Sequence, residues 1–140
     1  MSSLSAVTEV KVRFSEVDSI KFVWHGHYFK YFEEGREAFG LKYGIGYQDI
    51  FDQGLITPLV NVNCDFKRPL EYGDTAVVET LFVNTDAAKI IFNFVIRRKS
   101  DLEVCATGSS IQVFLDAQRE LLLTPPPYFV EWKKKWGLLP

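Results

Sequence analysis

The chain has 140 residues, a length that suits one domain with its own hydrophobic core. Hydrophobic residues make up 47% of it, which excludes a disordered chain. The formal net charge is -2, so the chain has no excess of basic residues for binding nucleic acid. No apolar stretch approaches the roughly 20 residues of a membrane span, and the N-terminus lacks the pattern of a signal peptide. We therefore predict a single globular domain over residues 1–140, in the cytoplasm, with no nucleic-acid or membrane partner.

The first predicted elements are a strand and a long helix, separated by a loop. Apolar and polar side chains alternate over residues 8–17, which predicts a strand, and the loop that follows holds Asp18. Over residues 27–43 apolar side chains recur every three or four positions, which predicts a helix with one apolar face. Gly44 and Gly46 are expected to end this helix, and residues 47–53 are expected to form a short second one.

The second half of the chain is predicted to consist mainly of strands. Turn residues separate four strand-like segments at 59–66, 75–83, 89–98 and 104–115. The middle three of the five strands have short connections, so we expect them to pair as an antiparallel meander. Gly108, inside the last strand, predicts a bulge or a close approach of another group.

The C-terminal tail predicts an amphipathic helix at about residues 125–136, with Lys133, Lys134 and Lys135 on a solvated basic face. The order of elements predicts an α+β fold in which one hydrophobic helix packs on a curved antiparallel sheet. Such a sheet has a free edge, and its long apolar strands suggest that this edge pairs with a second subunit.

The cysteines and histidines give no metal site. Cys64 and Cys105 do not form a Cys-x-x-Cys pair, and the two histidines do not complete a zinc pattern. We interpret both cysteines as buried free thiols in a reducing cytosol, and we predict no metal and no cofactor. The chain also lacks a Gly-x-Ser-x-Gly elbow and a glycine-rich phosphate loop, which argues against α/β serine hydrolases and nucleotide-binding enzymes.

The segment from Asp18 to Tyr28 is the best candidate for chemistry. A carboxylate follows a strand, and residues 23–27 contain no Ser, Thr, Asp or Asn that could cap the predicted helix. Free N–H groups at a helix start, beside an acid, can hold the oxyanion that forms when an acyl bond is cleaved. Two other interpretations stay open, because Asp18 could be a turn residue and water could satisfy the N–H groups.

The two histidines of this segment lie two residues apart. In a helix their side chains would diverge, so they cannot easily act on one atom. His25 lies at the start of the predicted helix and is the better site candidate, with a structural hydrogen bond as the alternative. We interpret His27 as structural or exposed.

Several short motifs follow one another along the chain. They are Val12-Arg13-Phe14-Ser15-Glu16-Val17-Asp18, Val23-Trp24-His25, Tyr28, Tyr31-Phe32-Glu33, Arg36, Cys64-Asp65-Phe66, Pro69, Gly73-Asp74, Ile96-Arg97-Arg98, Ala106-Thr107-Gly108 and Val113-Phe114. In this order, over about residues 8–127, the chain resembles the hotdog-fold acyl-CoA thioesterases of the 4-hydroxybenzoyl-CoA thioesterase and YbgC type.

The resemblance implies a long central helix wrapped by a five-stranded, curved antiparallel sheet. It implies homodimers or tetramers of such dimers, active sites at the dimer interface, and hydrolysis of acyl-CoA thioesters without a metal. It also implies that Asp18 is the catalytic carboxylate, as nucleophile or general base, and that the backbone N–H of His25 faces the thioester carbonyl. Trp24, Tyr28 and Lys21 are then expected to contact the substrate, although packing is the default for Tyr28.

The chain departs from the family pattern just after the aspartate. Family members usually carry glycine there, whereas this chain has Ile20 and Lys21, which resist the backbone conformations that glycine permits. Lys21 could pair with Asp18 and lower its pKa, or contact a ligand carboxylate or phosphate. A second hypothesis is therefore a protein that holds an acyl thioester without cleaving it. A third, a hotdog dehydratase, needs a histidine base paired with an acid elsewhere, and the order of the motifs fits it poorly.

Overall fold

The computed structural model describes residues 4–139, so residues 1–3 and 140 of the predicted domain lie outside the described part. In chain order the elements are β1 (Ser5–Lys11), a 3₁₀ turn (Phe14–Glu16), α1 (His27–Tyr43), α2 (Tyr47–Phe51), β2 (Leu59–Phe66), β3 (Thr75–Val83), β4 (Lys89–Arg98), β5 (Val104–Val113) and α3 (Pro127–Lys135). The predicted bounds of α1, β2, β3 and β4 are confirmed. The helix α2 and the strand β5 each end two residues earlier than predicted.

The strands form one antiparallel sheet in the order β1-β3-β4-β5-β2. The predicted meander is therefore partly wrong: β3 and β4 pair as expected, but β2 pairs with β5 instead of β3. The reason is that β1 occupies the other edge of β3, with Ser5 opposite Leu81 and Lys11 opposite Thr75. β2 instead pairs along the free side of β5 and becomes an edge strand itself.

The first strand is shorter at its C-terminal end than predicted. It ends at Lys11, and residues 14–16 form a 3₁₀ turn where the sequence predicted extended chain. The turn is held locally, because the carboxylate of Glu16 accepts a hydrogen bond from the N–H of Arg13 at 2.8 Å. This turn bends the chain immediately before Asp18.

The helix α1 packs on the sheet through a face that carries several aromatic rings. The rings of Phe32 and Phe94 stack at 4.4 Å, and Phe39 lies 4.9 Å from Phe92. Gly35 permits a close approach to the sheet, since a Cβ there would lie 2.3 Å from the hydroxyl oxygen of Thr80. The long helix against a five-stranded antiparallel sheet is the α+β architecture that the sequence predicted.

The close approach predicted at Gly108 is confirmed. A Cβ at this position would lie 2.4 Å from the carbonyl oxygen of Asn63 and 2.6 Å from the ring of Phe32. The pairing of β5 shows no register shift at Gly108, so the alternative of a bulge is wrong.

The C-terminal helix α3 covers the far end of α1. The indole N–H groups of Trp132 and Trp136 both donate to the carbonyl oxygen of Tyr43, at 2.8 and 3.1 Å. The predicted basic face is partly wrong: Lys134 and Lys135 are exposed, but Lys133 is buried. Its Nζ donates to the carbonyl oxygen of Thr85, because this side of α3 lies against the connection between β3 and β4.

The cysteines are both free, as predicted; Cys105 is buried and Cys64 is half-buried. Between residues 4 and 139, no helix is long and apolar enough to cross a membrane.

Candidate active site

Asp18 lies at the start of a tight hairpin formed by residues 17–23, here called the Asp18 hairpin. Val17 and Val23 form an antiparallel bridge, and the N–H of Asp18 donates to the carbonyl oxygen of Phe22 at 2.8 Å. The N–H of Lys21 donates back to the carbonyl oxygen of Asp18 at 2.9 Å. This pattern is a three-residue hairpin loop, a turn whose last residue takes the left-handed conformation.

Lys21 is that left-handed residue, with φ of 70°. A non-glycine residue in this region costs about 1–2 kcal/mol relative to ordinary backbone, which is why glycine is favoured there. The chain therefore reaches the turn conformation without the glycine whose absence was noted in the sequence. Within residues 4–139 the side chain of Lys21 forms no ion pair, so the suggested pairing of Lys21 with Asp18 is wrong.

The carboxylate of Asp18 is half-buried and belongs to the hairpin it initiates. One oxygen, Oδ1, accepts a hydrogen bond from the N–H of Ile20 at 3.0 Å, the geometry of an Asx turn. No group in the described part of the chain donates to the other oxygen, Oδ2. The turn role predicted as an alternative is thus present, and it leaves one carboxylate oxygen open.

The start of α1, residues 24–27, is here called the helix mouth. Gly26 is the N-cap, and no side chain forms a capping hydrogen bond. The N–H of His27 donates to the carbonyl oxygen of Trp24 and that of Tyr28 donates to His25, at 2.9 and 3.2 Å. The N–H groups of His25 and Gly26 have no acceptor among residues 4–139. The predicted uncapped donors are therefore present at this end of the helix.

Backbone hydrogen bonds fix the helix mouth against the Asp18 hairpin. The N–H of Trp24 donates to the carbonyl oxygen of Glu16, and that of Val23 donates to Leu70, each at 2.8 Å. Glu16 precedes Asp18 by two residues, and Trp24 directly precedes His25. The hydrogen bond between Trp24 and Glu16 therefore joins the segment that leads into Asp18 to the segment that carries the two free N–H groups.

Aromatic side chains surround the helix mouth and form an aromatic rim of Trp24, His25 and Phe66. The indole of Trp24 lies over Gly26, where a Cβ would be only 2.1 Å from the ring. The ring of His25 lies 4.8 Å from that of Trp24 and 6.3 Å from that of Phe66. Trp24 and Phe66 remain 48% and 51% exposed, so the rim presents apolar surface to solvent beside the free N–H groups.

Tyr28 lies beneath this rim in the core. Its hydroxyl oxygen accepts a hydrogen bond from the N–H of Leu70 at 3.3 Å, and its ring contacts that of Phe66 at 5.0 Å. Burial, the largest influence, raises the pKa of Tyr28 to about 12, so the hydroxyl stays protonated at neutral pH. The structure gives Tyr28 the packing role that the sequence left open.

Cys64, on β2, is the half-buried thiol on the strand that ends at Phe66. Burial raises its pKa to about 11, so at neutral pH it is a thiol and not a thiolate nucleophile. No cluster of metal-ligating side chains occurs in the described residues 4–139.

Sequence comparisons assign this chain to a family. Residues 12–133 match the profile of the Thioesterase-like superfamily. The chain belongs to the thioesterase-like superfamily. It is 35% identical over 106 residues to YneP of Bacillus subtilis, a protein named as a candidate acyl-CoA thioesterase, and the match covers 75% of this chain and 77% of YneP.

Solved structures of proteins named as thioesterases share the fold. A DHNA-CoA thioesterase from Staphylococcus aureus superposes with a TM-score of 0.85 at 24% identity, covering 95% of this chain and 89% of the other. The 4-hydroxybenzoyl-CoA thioesterase from Pseudomonas sp. strain CBS-3 gives a TM-score of 0.79 at 20% identity, covering 91% and 98%. These likenesses confirm the predicted hotdog fold.

Sequence reasoning did not assign roles to three residues that shape this candidate site. Gly26 supplies a free N–H, Phe66 completes the aromatic rim, and the carbonyl group of Glu16 anchors the helix mouth. Gly26 could have been found as the glycine at an uncapped helix start. Phe66 could not, because local sequence does not say that the end of β2 passes the start of α1.

Proposed function

We propose that this protein is an acyl-CoA thioesterase that hydrolyses an acyl- or aroyl-CoA thioester to the free acid and CoA. The observation that carries the proposal is the pair of free N–H groups of His25 and Gly26. A backbone hydrogen bond joins their segment to the chain that leads into Asp18, which has one open carboxylate oxygen. Backbone N–H groups aimed at a carbonyl oxygen stabilise the oxyanion that develops there.

In the proposed reaction the thioester carbonyl oxygen lies at the helix mouth. Asp18 either attacks the carbonyl carbon, giving a mixed anhydride that water then hydrolyses, or removes a proton from the attacking water. In both routes the C–S bond breaks, a C–O bond forms, and CoA leaves as a thiolate that takes up a proton. His25 contributes its backbone N–H, and the aromatic rim receives the acyl group.

Lys21 is proposed to contact the CoA portion of the substrate. It is exposed at the end of the hairpin loop, and within residues 4–139 its ammonium group has no carboxylate partner. A free cation beside the site suits the phosphate or carboxylate groups of a CoA ester. We propose the cytoplasm as the compartment, since both cysteines are free.

The enzyme is proposed to work as a homodimer, or a tetramer of dimers, joined through the edge strand β2. Every residue of this strand except the half-buried Cys64 is exposed, including Leu59, Val60, Val62 and Phe66. A long apolar edge strand is normally paired or protected, and a second copy can extend the sheet across it. Phe66 belongs to both β2 and the aromatic rim, so such pairing brings the partner subunit close to the site.

Thiol release from a panel of aromatic, short-chain and medium-chain acyl-CoA esters tests the function. We expect the wild type to cleave at least one class, and Asp18→Asn to lose about 10²–10⁴-fold in kcat. Glu131→Gln is the matched control, because it neutralises an exposed carboxylate on α3 and should leave turnover unchanged. Tight binding of a CoA ester without thiol release by the wild type would instead favour the non-catalytic binding protein.

Transfer of label from water tests the proposed nucleophilic role of Asp18. In a single turnover in H₂¹⁸O, ¹⁸O in the Asp18 carboxylate requires an anhydride, whose hydrolysis at the aspartyl carbon leaves the label on the enzyme. Peptide mass spectrometry of the segment that contains Asp18 measures it.

A further inference from the structure

Glu16 is a buried carboxylate that the reaction described above does not use. It is 3% exposed and lies two residues before Asp18. A carboxylate taken out of water is costly unless hydrogen bonds and charges compensate, so its partners indicate why it is there.

The partners of Glu16 come from three different segments. Its Oε1 accepts hydrogen bonds from the N–H of Arg13 at 2.8 Å and from the hydroxyl of Tyr31 at 3.0 Å. Its Oε2 lies 3.8 Å from the Nζ of Lys30, and its backbone carbonyl accepts the N–H of Trp24 at 2.8 Å. Glu16 thus connects the 3₁₀ turn, the helix α1 and the helix mouth.

Tyr31 is suited to act only as a donor in this arrangement. Burial, the largest influence, and the hydrogen bond to Glu16 both raise its pKa, so the hydroxyl keeps its proton at neutral pH. The ring is fully buried in α1, one turn after the helix mouth. The contact therefore joins a rigid point of the helix to the chain that leads into Asp18.

We propose that Glu16 is a positioning residue which, through Tyr31 and the N–H of Trp24, sets the carboxylate of Asp18 in register with the free N–H groups of His25 and Gly26. Glu16 itself touches no substrate. The inference rests on the proposed function, and it identifies what fixes the distance on which that function depends. A displacement of about 1 Å in such a site can cost about 10²-fold in rate.

Tyr31→Phe removes the proposed contact and keeps the ring. We expect kcat to fall about 10- to 100-fold with little change in KM, because Asp18 and the helix mouth lose their common register. Tyr43→Phe is the matched control, since this tyrosine at the other end of α1 donates to the carbonyl oxygen of Ser5 at 2.8 Å. It should lose comparable stability and keep kcat. Equal kcat in the two variants would reduce Tyr31 to a structural role and overturn the proposal.

Glu16→Gln provides the conservative variant. Its amide oxygen can accept from both Arg13 and Tyr31, because one oxygen of Glu16 accepts both bonds, and the amide NH₂ replaces only the oxygen near Lys30. We expect kcat within about threefold of the wild type. A folded Glu16→Gln variant without turnover would show that the charge itself is needed, and would overturn a positioning role.

Amide hydrogen exchange separates this proposal from the proposed function. The N–H of Trp24 should exchange faster in Tyr31→Phe than in Tyr43→Phe, whether or not a substrate is known. If the wild type cleaves no thioester, the proposed function fails while the exchange result still decides the positioning. Unchanged exchange at Trp24 in Tyr31→Phe would overturn the positioning even in an active enzyme.

Discussion

The two ends of α1 are built in opposite ways. At the C-terminal end, two indole N–H groups donate to the carbonyl oxygen of Tyr43, and Gly44 closes the helix in the left-handed conformation. At the N-terminal end, the N–H groups of His25 and Gly26 have no acceptor among residues 4–139, and no side chain caps the helix. At the C-terminal end the protein's own groups pair with the helix carbonyl of Tyr43, whereas at the N-terminal end two backbone N–H groups are free to bind a ligand.

The difference also appears in what covers each end. The C-terminal end lies under α3, with Trp132 and Phe129 buried against the core. The N-terminal end lies beside half-exposed Trp24 and Phe66, and the N–H of Trp24 joins it to the carbonyl oxygen of Glu16, two residues before Asp18. A buried helix end needs partners for its polar groups, whereas an exposed one can offer them to a ligand. We therefore propose that the C-terminal end serves stability and the N-terminal end serves chemistry.

Removing a single N–H at the helix mouth should have the largest effect. An amide-to-ester replacement at His25, made by semisynthesis, deletes the N–H and keeps the side chain. We expect kcat for thioester cleavage to fall about 10²–10³-fold, the typical loss for one oxyanion donor. His25→Ala is the control, since it keeps the N–H and should stay within about fivefold of the wild type. The reverse pattern would transfer the role to the imidazole.

Changes at the other end should affect stability and not rate. Trp132→Phe removes the shorter hydrogen bond to Tyr43 and part of a buried ring. We expect a loss of about 2–3 kcal/mol in the free energy of unfolding, measured with urea, because a buried carbonyl loses a donor and the core loses contacts. The folded variant should keep its kcat. A parallel drop in kcat would show that the two ends are coupled.

The strain in the Asp18 hairpin predicts a smaller effect of the opposite sign. Lys21→Gly should raise the free energy of unfolding by about 1 kcal/mol, because glycine adopts φ of 70° without a steric penalty. Leu102→Gly, at φ of 60° in the turn between β4 and β5, is the matched control and should gain a similar amount. A gain for Leu102→Gly alone would mean that the Lys21 side chain stabilises the hairpin. Thermal unfolding of both variants measures the difference.

Cys64 should show the smallest effect on function. Because burial raises its pKa to about 11, the folded protein keeps this proton while the unfolded chain releases it near pH 9, so its contribution to stability is present below pH 9 and is lost as the pH rises toward 11. Its alkylation by iodoacetamide, resolved from Cys105 by peptide mass spectrometry, should have a midpoint near pH 11. Cys64→Ser should leave turnover unchanged. A midpoint near pH 8, with lost turnover, would make the thiol a reactive group.

Much of the fold could be predicted from the sequence, because hydrophobic periodicity and turn residues are local signals. The bounds of α1 and of β2, β3 and β4 followed from them. The pairing of β2 did not, because it depends on which sheet edge β1 has already occupied. The burial of Lys133 could not be predicted either, because its partner, the carbonyl group of Thr85, is distant in sequence.

The candidate site could be predicted only in part, because some of its features are local in sequence and others are contacts between distant segments. The absence of a capping residue before His27 and the acid at position 18 are local, and both features are present in the structure. The left-handed backbone of Lys21 runs against residue preference and was not predicted. The links from Glu16 to Tyr31 and Trp24 join three segments, and no periodicity indicates them.

The central claim is that the open end of α1 holds a thioester carbonyl oxygen in front of Asp18. Isotope-edited infrared spectroscopy of a cleavable thioester from the panel, bound to Asp18→Asn, measures this directly because the C=O stretching frequency falls when N–H groups donate to the oxygen. We predict a lower frequency than for the ester in water, with part of the shift lost when the N–H of His25 is replaced by an ester oxygen. A bound carbonyl at or above its frequency in water, unaffected by that replacement, would contradict the claim.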